Sequence, residues 1–259
     1  MSTVLPQISI VIVSYERLST LEITLSSLLR QTDYPRDRLE IIVTDDGSKQ
    51  ETLEKIRKLP IDKLVIGGPR SGLGANVNRG IAAASHNFIL QIQDDWECLG
   101  PSNYLRRALD TMGLRREIGM FLLNAHPEDL PACSVFSVND YQVKVHVNRP
   151  EKIIRLVGKH AYTDWPHLKT REFIQEIGRY KENVAMWEAE LDYSRRVNAQ
   201  TSLFIAEISG EAAFRHIGED CSFNSGSVRQ RVFGLLRRIP GAAAVLDSLK
   251  RRLLPREID

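Results

Sequence analysis

Hydrophobic positions in the first part of the chain switch between two periods. Residues 8–13 (ISIVIV) form a continuous, mostly β-branched run, the pattern of a strand buried on both faces. Leu18, Leu21, Leu25, Leu28 and Leu29 then recur at helical spacing. A turn at Tyr34-Pro35-Arg36-Asp37 leads to a second buried strand over 39–43 (LEIIV). A helix over 49–59 turns Leu53, Ile56 and Leu59 inward, and a third strand spans 63–66. The Gly-rich loop 67–72 opens a helix of small residues over 73–85, and a fourth strand covers 88–93 (FILQIQ). This alternation predicts an α/β fold: a Rossmann-like, mostly parallel sheet flanked by helices.

The pattern then loosens. Residues 101–112 read as a helix, 118–123 as a strand, and 135–147 as one or two strands. A loop over 160–170 precedes a helix starting at 171–177, a second helical stretch over 187–197 and a strand over 203–208. The chain is 259 residues long, enough for one large α/β domain. A formal charge of +2 argues against a nucleic-acid partner. No apolar run approaches the about eighteen residues of a membrane span, and the N-terminus lacks the basic start of a signal peptide. Cys98, Cys133 and Cys221 are few and scattered, which suggests a reducing, cytoplasmic setting. The charge is uneven. Residues 225–259 carry net +5, leaving −3 on residues 1–224.

Two strands end in acidic pairs, Asp45-Asp46 and Asp94-Asp95. In open parallel sheets, ligands bind beyond the carboxyl ends of the strands. Adjacent like charges are best tolerated beside a cation, and oxygen ligands with a diphosphate suit Mg²⁺ or Mn²⁺. For Asp45-Asp46 followed by Gly47, simple turn formation is an equal alternative.

The ordered segments ISIVIVSYER, LEIIVTDDGS, SGLGANVNRGIAAA and FILQIQDDW resemble the family 2 glycosyltransferases, which have a GT-A fold. The likeness covers about 8–96 and resumes at 173–196 and 214–218. It implies a nucleotide-sugar-binding half over about 1–97 and an acceptor-binding half over 98–224. By this resemblance Val13, Ser14 and Tyr15 contact the nucleotide base, unless Tyr15 only caps its strand. Asp46 accepts a hydrogen bond from base or ribose, and Gly72 and Asn78 flank the donor. Arg70 approaches the diphosphate, Asp94 the ribose or a metal-bound water, and Asp95 ligates the metal. His216, in Phe214-Arg215-His216-Ile217-Gly218, is a further metal or diphosphate ligand.

An inverting transfer also needs a carboxylate to take the acceptor proton. Counting back from Ser194 and Arg196 in MWEAELDYSRR puts Glu190 in the family's aspartate slot, with Ala189 replacing the usual glutamate. Glu188 is the other candidate. Trp165, His167 and Trp187 are candidate acceptor contacts. The expected partners are a nucleoside-diphosphate sugar and a glycan or glycolipid hydroxyl, as in polysaccharide or glycoconjugate assembly. Two alternatives stay open: a sugar nucleotidyltransferase, disfavoured because no glycine follows the first strand, and a binding module with a dead site. In 225–259, two basic amphipathic stripes separated by Pro240-Gly241 form a helical tail. It would pack on the protein or a second copy in preference to the inner face of a membrane.

Overall fold

The computed structural model describes residues 5–68, 70–126, 132–146 and 162–218. The chain divides into two compact units, 1–217 and 218–259, and every element named below belongs to the first. The expected tail helices over 225–259 and the ends of two expected segments, residue 147 and residues 160–161, lie outside the described residues.

Strands β1 (Ile8–Ser14), β2 (Leu39–Asp45), β3 (Lys63–Ile66) and β4 (Phe88–Gln93) alternate with helices α1 (Leu18–Gln31), α2 (Gln50–Ile56) and α3 (Gly72–Ala83). There follow β5 (Trp96–Cys98), α4 (Tyr104–Leu114), β6 (Ile118–Leu122), β7 (Ala132–Val138), β8 (Tyr141–His146), β9 (His167–Thr170), α5 (Arg171–Ile177), α6 (Met186–Gln200), β10 (Phe204–Ile208) and β11 (Phe214–His216). Nine strands form one sheet in the order β3-β2-β1-β4-β9-β6-β10-β8-β7, and β5 pairs with β11 in a small second sheet. In the large sheet only β8 and β9 run against the rest.

Alternation along the central strands sorts the core into two faces. Ile8, Ile10 and Ile12 of β1, with Ile41 and Val43 of β2, meet Leu21, Leu25 and Leu28 of α1 and Leu105 and Met112 of α4. Val11, Val13 and Ile42 face the other way, with Val77 of α3, Phe173 and Ile177 of α5 and Tyr193 and Val197 of α6. Burying each such aliphatic side chain stabilises the fold by about 1.5–3 kcal/mol. Both faces of the sheet are covered, so its early strands are apolar throughout.

The expected 160–170 loop is corrected: residues 167–170 are β9, which fills the gap between β4 and β6. Its His167 and Lys169 are fully buried, so the strand lacks the apolar signature that identified the others. The two three-residue strands β5 and β11 are likewise too short for periodicity to reveal. Side-chain hydroxyls on α1 dock β5: the Trp96 amide donates to Thr24 Oγ1 (3.2 Å) and the Cys98 amide to Ser27 Oγ (2.9 Å). Thr24 also donates to the Asp94 carbonyl (2.9 Å), so α1 fixes the chain through the second acidic pair.

Helix α3 lies close to the segment before α6. A Cβ on Gly74 would sit 2.1 Å from the Lys181 carbonyl oxygen, a backbone atom that cannot swing aside. Gly74→Ala therefore has to part α3 from residues 180–182. Urea unfolding is expected to show a loss of about 1–3 kcal/mol; wild-type stability would contradict this packing.

Candidate active site

The parallel register brings three strand ends level. Ser14 pairs with Asp45, Val13 pairs with Gln93, and the Asp46 and Asp94 amides donate to Ser14 O (3.2 Å) and Val13 O (3.1 Å). The two acidic pairs thus flank the end of β1. The first pair serves the chain. Asp45 is fully buried and accepts from the Gly47 amide (3.0 Å), the Ser48 amide (2.6 Å) and Ser48 Oγ (2.6 Å), which closes the turn. Asp46 accepts from Ser71 N (3.1 Å), Ser71 Oγ (2.7 Å), Gly72 N (2.8 Å) and Arg79 Nη2 (2.8 Å). It anchors the start of α3, where Gly72 adopts φ +87°, a conformation that favours glycine. Both Asp46 oxygens are taken by chain donors, so the expected ribose contact would have to share them.

Asn78 donates through its amide to Tyr180 O (2.9 Å) and Glu182 Oε1 (2.8 Å), and its oxygen accepts from Tyr180 N (2.9 Å). Buried, it ties α3 to the segment before α6 through these three bonds. Tyr15 and the exposed Arg70, from the loops after β1 and β3, meet with the guanidinium 5.5 Å from the ring centroid.

The second pair is a different object. Asp94 and Asp95 are both 3% exposed. Arg17, at the entry to α1, reaches Asp95 Oδ2 at 2.5 Å and Asp94 Oδ1 at 3.5 Å. Ser14 Oγ donates to Asp94 Oδ2 (2.7 Å). Burial pushes the Asp94 carboxyl up to about 7, against the Ser14 hydrogen bond and with the Asp95 charge adding to it. For Asp95 burial also opposes ionisation, but His216 and Arg17 outweigh it and hold this carboxyl below its usual range. The β5–β11 pairing sets His216 opposite Trp96, which puts its Nε2 3.3 Å from Asp95 Oδ2. Arg17 is not among the candidates read from the sequence; nothing local there links it to carboxylates 77 and 78 residues away.

Asp95 Oδ1 is buried without a hydrogen-bond partner. With the His216 imidazole it gives an oxygen and a nitrogen donor side by side, a mixed set that fits a transition-metal ion such as Mn²⁺ better than the oxygen-seeking Mg²⁺. Among the described residues no group of three or more His, Cys, Asp or Glu side chains stands ready for a metal, so diphosphate oxygens and water would have to complete such a site.

Helix α6 separates the three acids of its first two turns. Glu188 pairs with Lys181 (2.9 Å) on the surface, and Asp192 pairs with Arg196 (2.8 Å). Glu190 points elsewhere and accepts from the Asp164 amide (3.2 Å). Burial, reinforced by the Asp164 charge, pushes the Glu190 carboxyl up to about 7. Of the acceptor candidates, Trp187 is 65% exposed. Trp165 is half-buried, with its ring 5.4 Å from Trp96, whose own ring lies 5.0 Å from His216. His167 does not face an acceptor: it is fully buried in β9, its Nδ1 2.7 Å from the Trp165 carbonyl oxygen. Burial, with Lys169 nearby, holds its imidazole well below the usual histidine range.

Residues 9–113 match Glycosyl transferase family 2. This segment is similar to a family 2 glycosyltransferase domain. It runs from β1 into α4, so it contains Tyr15, Arg17, Asp46, Asp94 and Asp95, whereas Trp165, Glu190 and His216 lie beyond it. "Putative glycosyltransferase EpsH" of Bacillus subtilis (strain 168) is 35% identical over 112 residues, which is 42% of this chain and 31% of that protein. The chain thus spans about a third of that curated relative. The crystal structure of S. aureus TarS 1-349 superposes with a TM-score of 0.58 at 17% identity, covering 80% of this chain and 59% of that one. The mannosyltransferase PcManGT from Pyrobaculum calidifontis, solved with GDP-Man and Mn²⁺, gives 0.56 at 16% identity, covering 78% and 55%. The fold around the matched segment is therefore of the GT-A type.

Within that segment Arg17 is the countercharge for two buried carboxylates. Breaking a buried ion pair by removing one partner typically costs about 3–5 kcal/mol. Arg17→Ala should lower the melting temperature in EDTA by several degrees, and Mn²⁺ should restore more of it than it adds to the wild type. An Arg17→Ala protein that melts like the wild type in EDTA would contradict this role.

Proposed function

We propose that the chain is an inverting glycosyltransferase that moves a sugar from a nucleoside-diphosphate donor to a hydroxyl of a glycan or glycolipid. One observation carries the reading. Adjacent residues touch both halves of the site: the Asp164 amide donates to Glu190, and the Trp165 ring packs on Trp96, next to Asp95. A half-buried carboxyl poised near neutrality thus lies across an aromatic contact from the acidic strand end.

In this mechanism Tyr15 lies against the base, with Val13 and Ser14 beside it, and Arg70 reaches toward the diphosphate from the cation–π contact it makes with Tyr15. Asp95 and His216 would hold a divalent cation, whose chemistry is to neutralise charge on the departing diphosphate. Trp165 and the exposed Trp187 offer flat apolar faces to an acceptor sugar. Glu190 takes the proton of the attacking hydroxyl. The acceptor oxygen forms its bond to the anomeric carbon, the carbon–diphosphate bond breaks with its electron pair, and configuration inverts. The solved neighbours support the donor class, since PcManGT carries GDP-Man and one TarS structure carries UDP-GlcNAc. Among the described residues no helix is long and apolar enough to cross a membrane. Cys98 and Cys133 are free thiols, in keeping with a cytoplasmic setting.

Glu190→Gln should lower kcat by about 10²–10⁴-fold while leaving intact the thermal shift given by a nucleoside diphosphate with Mn²⁺. Turnover close to wild type would move the role to Glu188. The base must be ionised to act, and its carboxyl sits at about 7. The kcat/KM of the wild type is therefore expected to rise with pH up to about that value and then level. A flat profile between pH 5 and 8, a window of roughly that breadth around neutrality, would contradict the assignment.

A further inference from the structure

Behind Glu190 lies a buried polar cluster that the mechanism above does not use. Asp164 is 5% exposed, and its Oδ1 accepts from the Tyr162 hydroxyl and from Tyr180 OH (3.4 Å). The Tyr162 and Tyr180 hydroxyls also touch each other. Lys169, fully buried in β9, donates to Tyr180 OH (3.3 Å) and to Gln91 Oε1 of β4 (2.6 Å). Tyr193 of α6, one turn from Glu190, stacks on Tyr180 with ring centroids 4.0 Å apart. The second Asp164 oxygen, Oδ2, is buried and has no hydrogen-bond partner.

So many polar groups in a core are costly unless they are joined. An apolar packing would fill the same space with less risk. The cluster touches Glu190 through the amide of residue 164. We propose that Asp164 is a positioning residue: its amide fixes the Glu190 carboxylate, and its own carboxylate, held by the Tyr162 and Tyr180 hydroxyls, is the like charge beside Glu190. The inference rests on Glu190 being the base. Its consequence is that proton affinity at Glu190 is set from inside the protein, by a negative charge that the Lys169 ammonium and the tyrosine hydroxyls keep in place.

The groups facing the pair can be named element by element. Tyr162 and Asp164 come from the segment before β9, His167 and Lys169 from β9, Tyr180 from the segment before α6, and Tyr193 from α6. The other charges nearby have partners elsewhere: Glu188 with Lys181, Asp192 with Arg196, Arg79 of α3 with Asp46, and Glu176 of α5 with Thr201 and Ser202. Arg171 of α5 donates to the Ala84 carbonyl. Asp164 is therefore the like charge that acts on Glu190. Burial and the Asp164 charge raise the Glu190 carboxyl, and burial raises Asp164 as well.

The test is a carboxyl titration that needs no substrate. In full-length protein labelled with ¹³Cδ-glutamate, the Glu190 resonance is identified by its loss in Glu190→Gln and followed with pH. Asp164→Asn removes the like charge, so the Glu190 midpoint should fall by about one pH unit or more. Asp164→Glu should hold it near the wild-type value. Tyr162→Phe withdraws a donor from ionised Asp164 and lowers the midpoint in the same direction, which serves if Asp164→Asn does not fold. An unchanged midpoint in the folded variants would overturn the inference. Wild-type turnover by Glu190→Gln would instead overturn the base assignment and leave the titration result standing.

Discussion

Negative charge buried at the carboxyl edge of the sheet is the constraint to which the rest of the structure answers. Asp45, Asp46, Asp94 and Asp95 are all at most 7% exposed. Carboxylates so placed either lose their charge or find donors and cations. Each solution met here has structural consequences. Asp45 folds its own turn, Asp46 takes the N-terminus of α3 and Arg79, and Asp94 and Asp95 draw Arg17 across from the start of α1. Helix α1 in turn must lie where Thr24 and Ser27 can hold the Trp96 and Cys98 amides. The position of a helix, a loop and a small sheet thus follows from where charge has been buried.

The same logic recurs in the second half of the chain. Buried Asp164 and half-buried Glu190 form another acidic pair, with Lys169 nearby; burial brings that lysine down to about 7 even with Asp164 favouring its charge. Between the two acidic centres stand Trp96 and Trp165 in contact. One centre has a histidine and an unpartnered oxygen suited to a cation, while the other has a carboxyl suited to receiving a proton. Burial raises both carboxyls, but at Asp95 the His216 and Arg17 contacts outweigh it and hold the group low, whereas at Glu190 the Asp164 charge adds to it. That division suits a reaction in which one end must stay anionic and the other must change its protonation state.

Legibility in the sequence followed burial of apolar side chains. Strands β3 and β4 and helix α5 have the expected limits, and β1 and β2 are only one or two residues longer at their carboxyl ends. All five were written in Ile, Val, Leu or Phe at strand or helix spacing. Strand β9 escaped because its inward positions on one face are His167 and Lys169, which read as loop chemistry although both are fully buried. The same inversion affected the site. Asn78 and His167 were placed at the site by the family resemblance, and both side chains are interior. Glu190 has partners on a different side of α6 from Glu188 and Asp192, as helical spacing separates those faces. Arg17, Asp164 and Lys169 were invisible, because pairing across 78 residues or joining a buried cluster leaves no local pattern.

The central claim is that the buried pair at the end of β4, with His216, receives a diphosphate together with a divalent cation. Isothermal titration calorimetry with UDP and with GDP, in Mn²⁺ and in EDTA, tests it directly on the wild type and on Asp95→Ala. The account predicts binding of at least one nucleotide to the wild type in Mn²⁺, little in EDTA, and none to folded Asp95→Ala. Equal affinity for that nucleotide in the two proteins, or no binding of either nucleotide to the wild type in Mn²⁺, would contradict it.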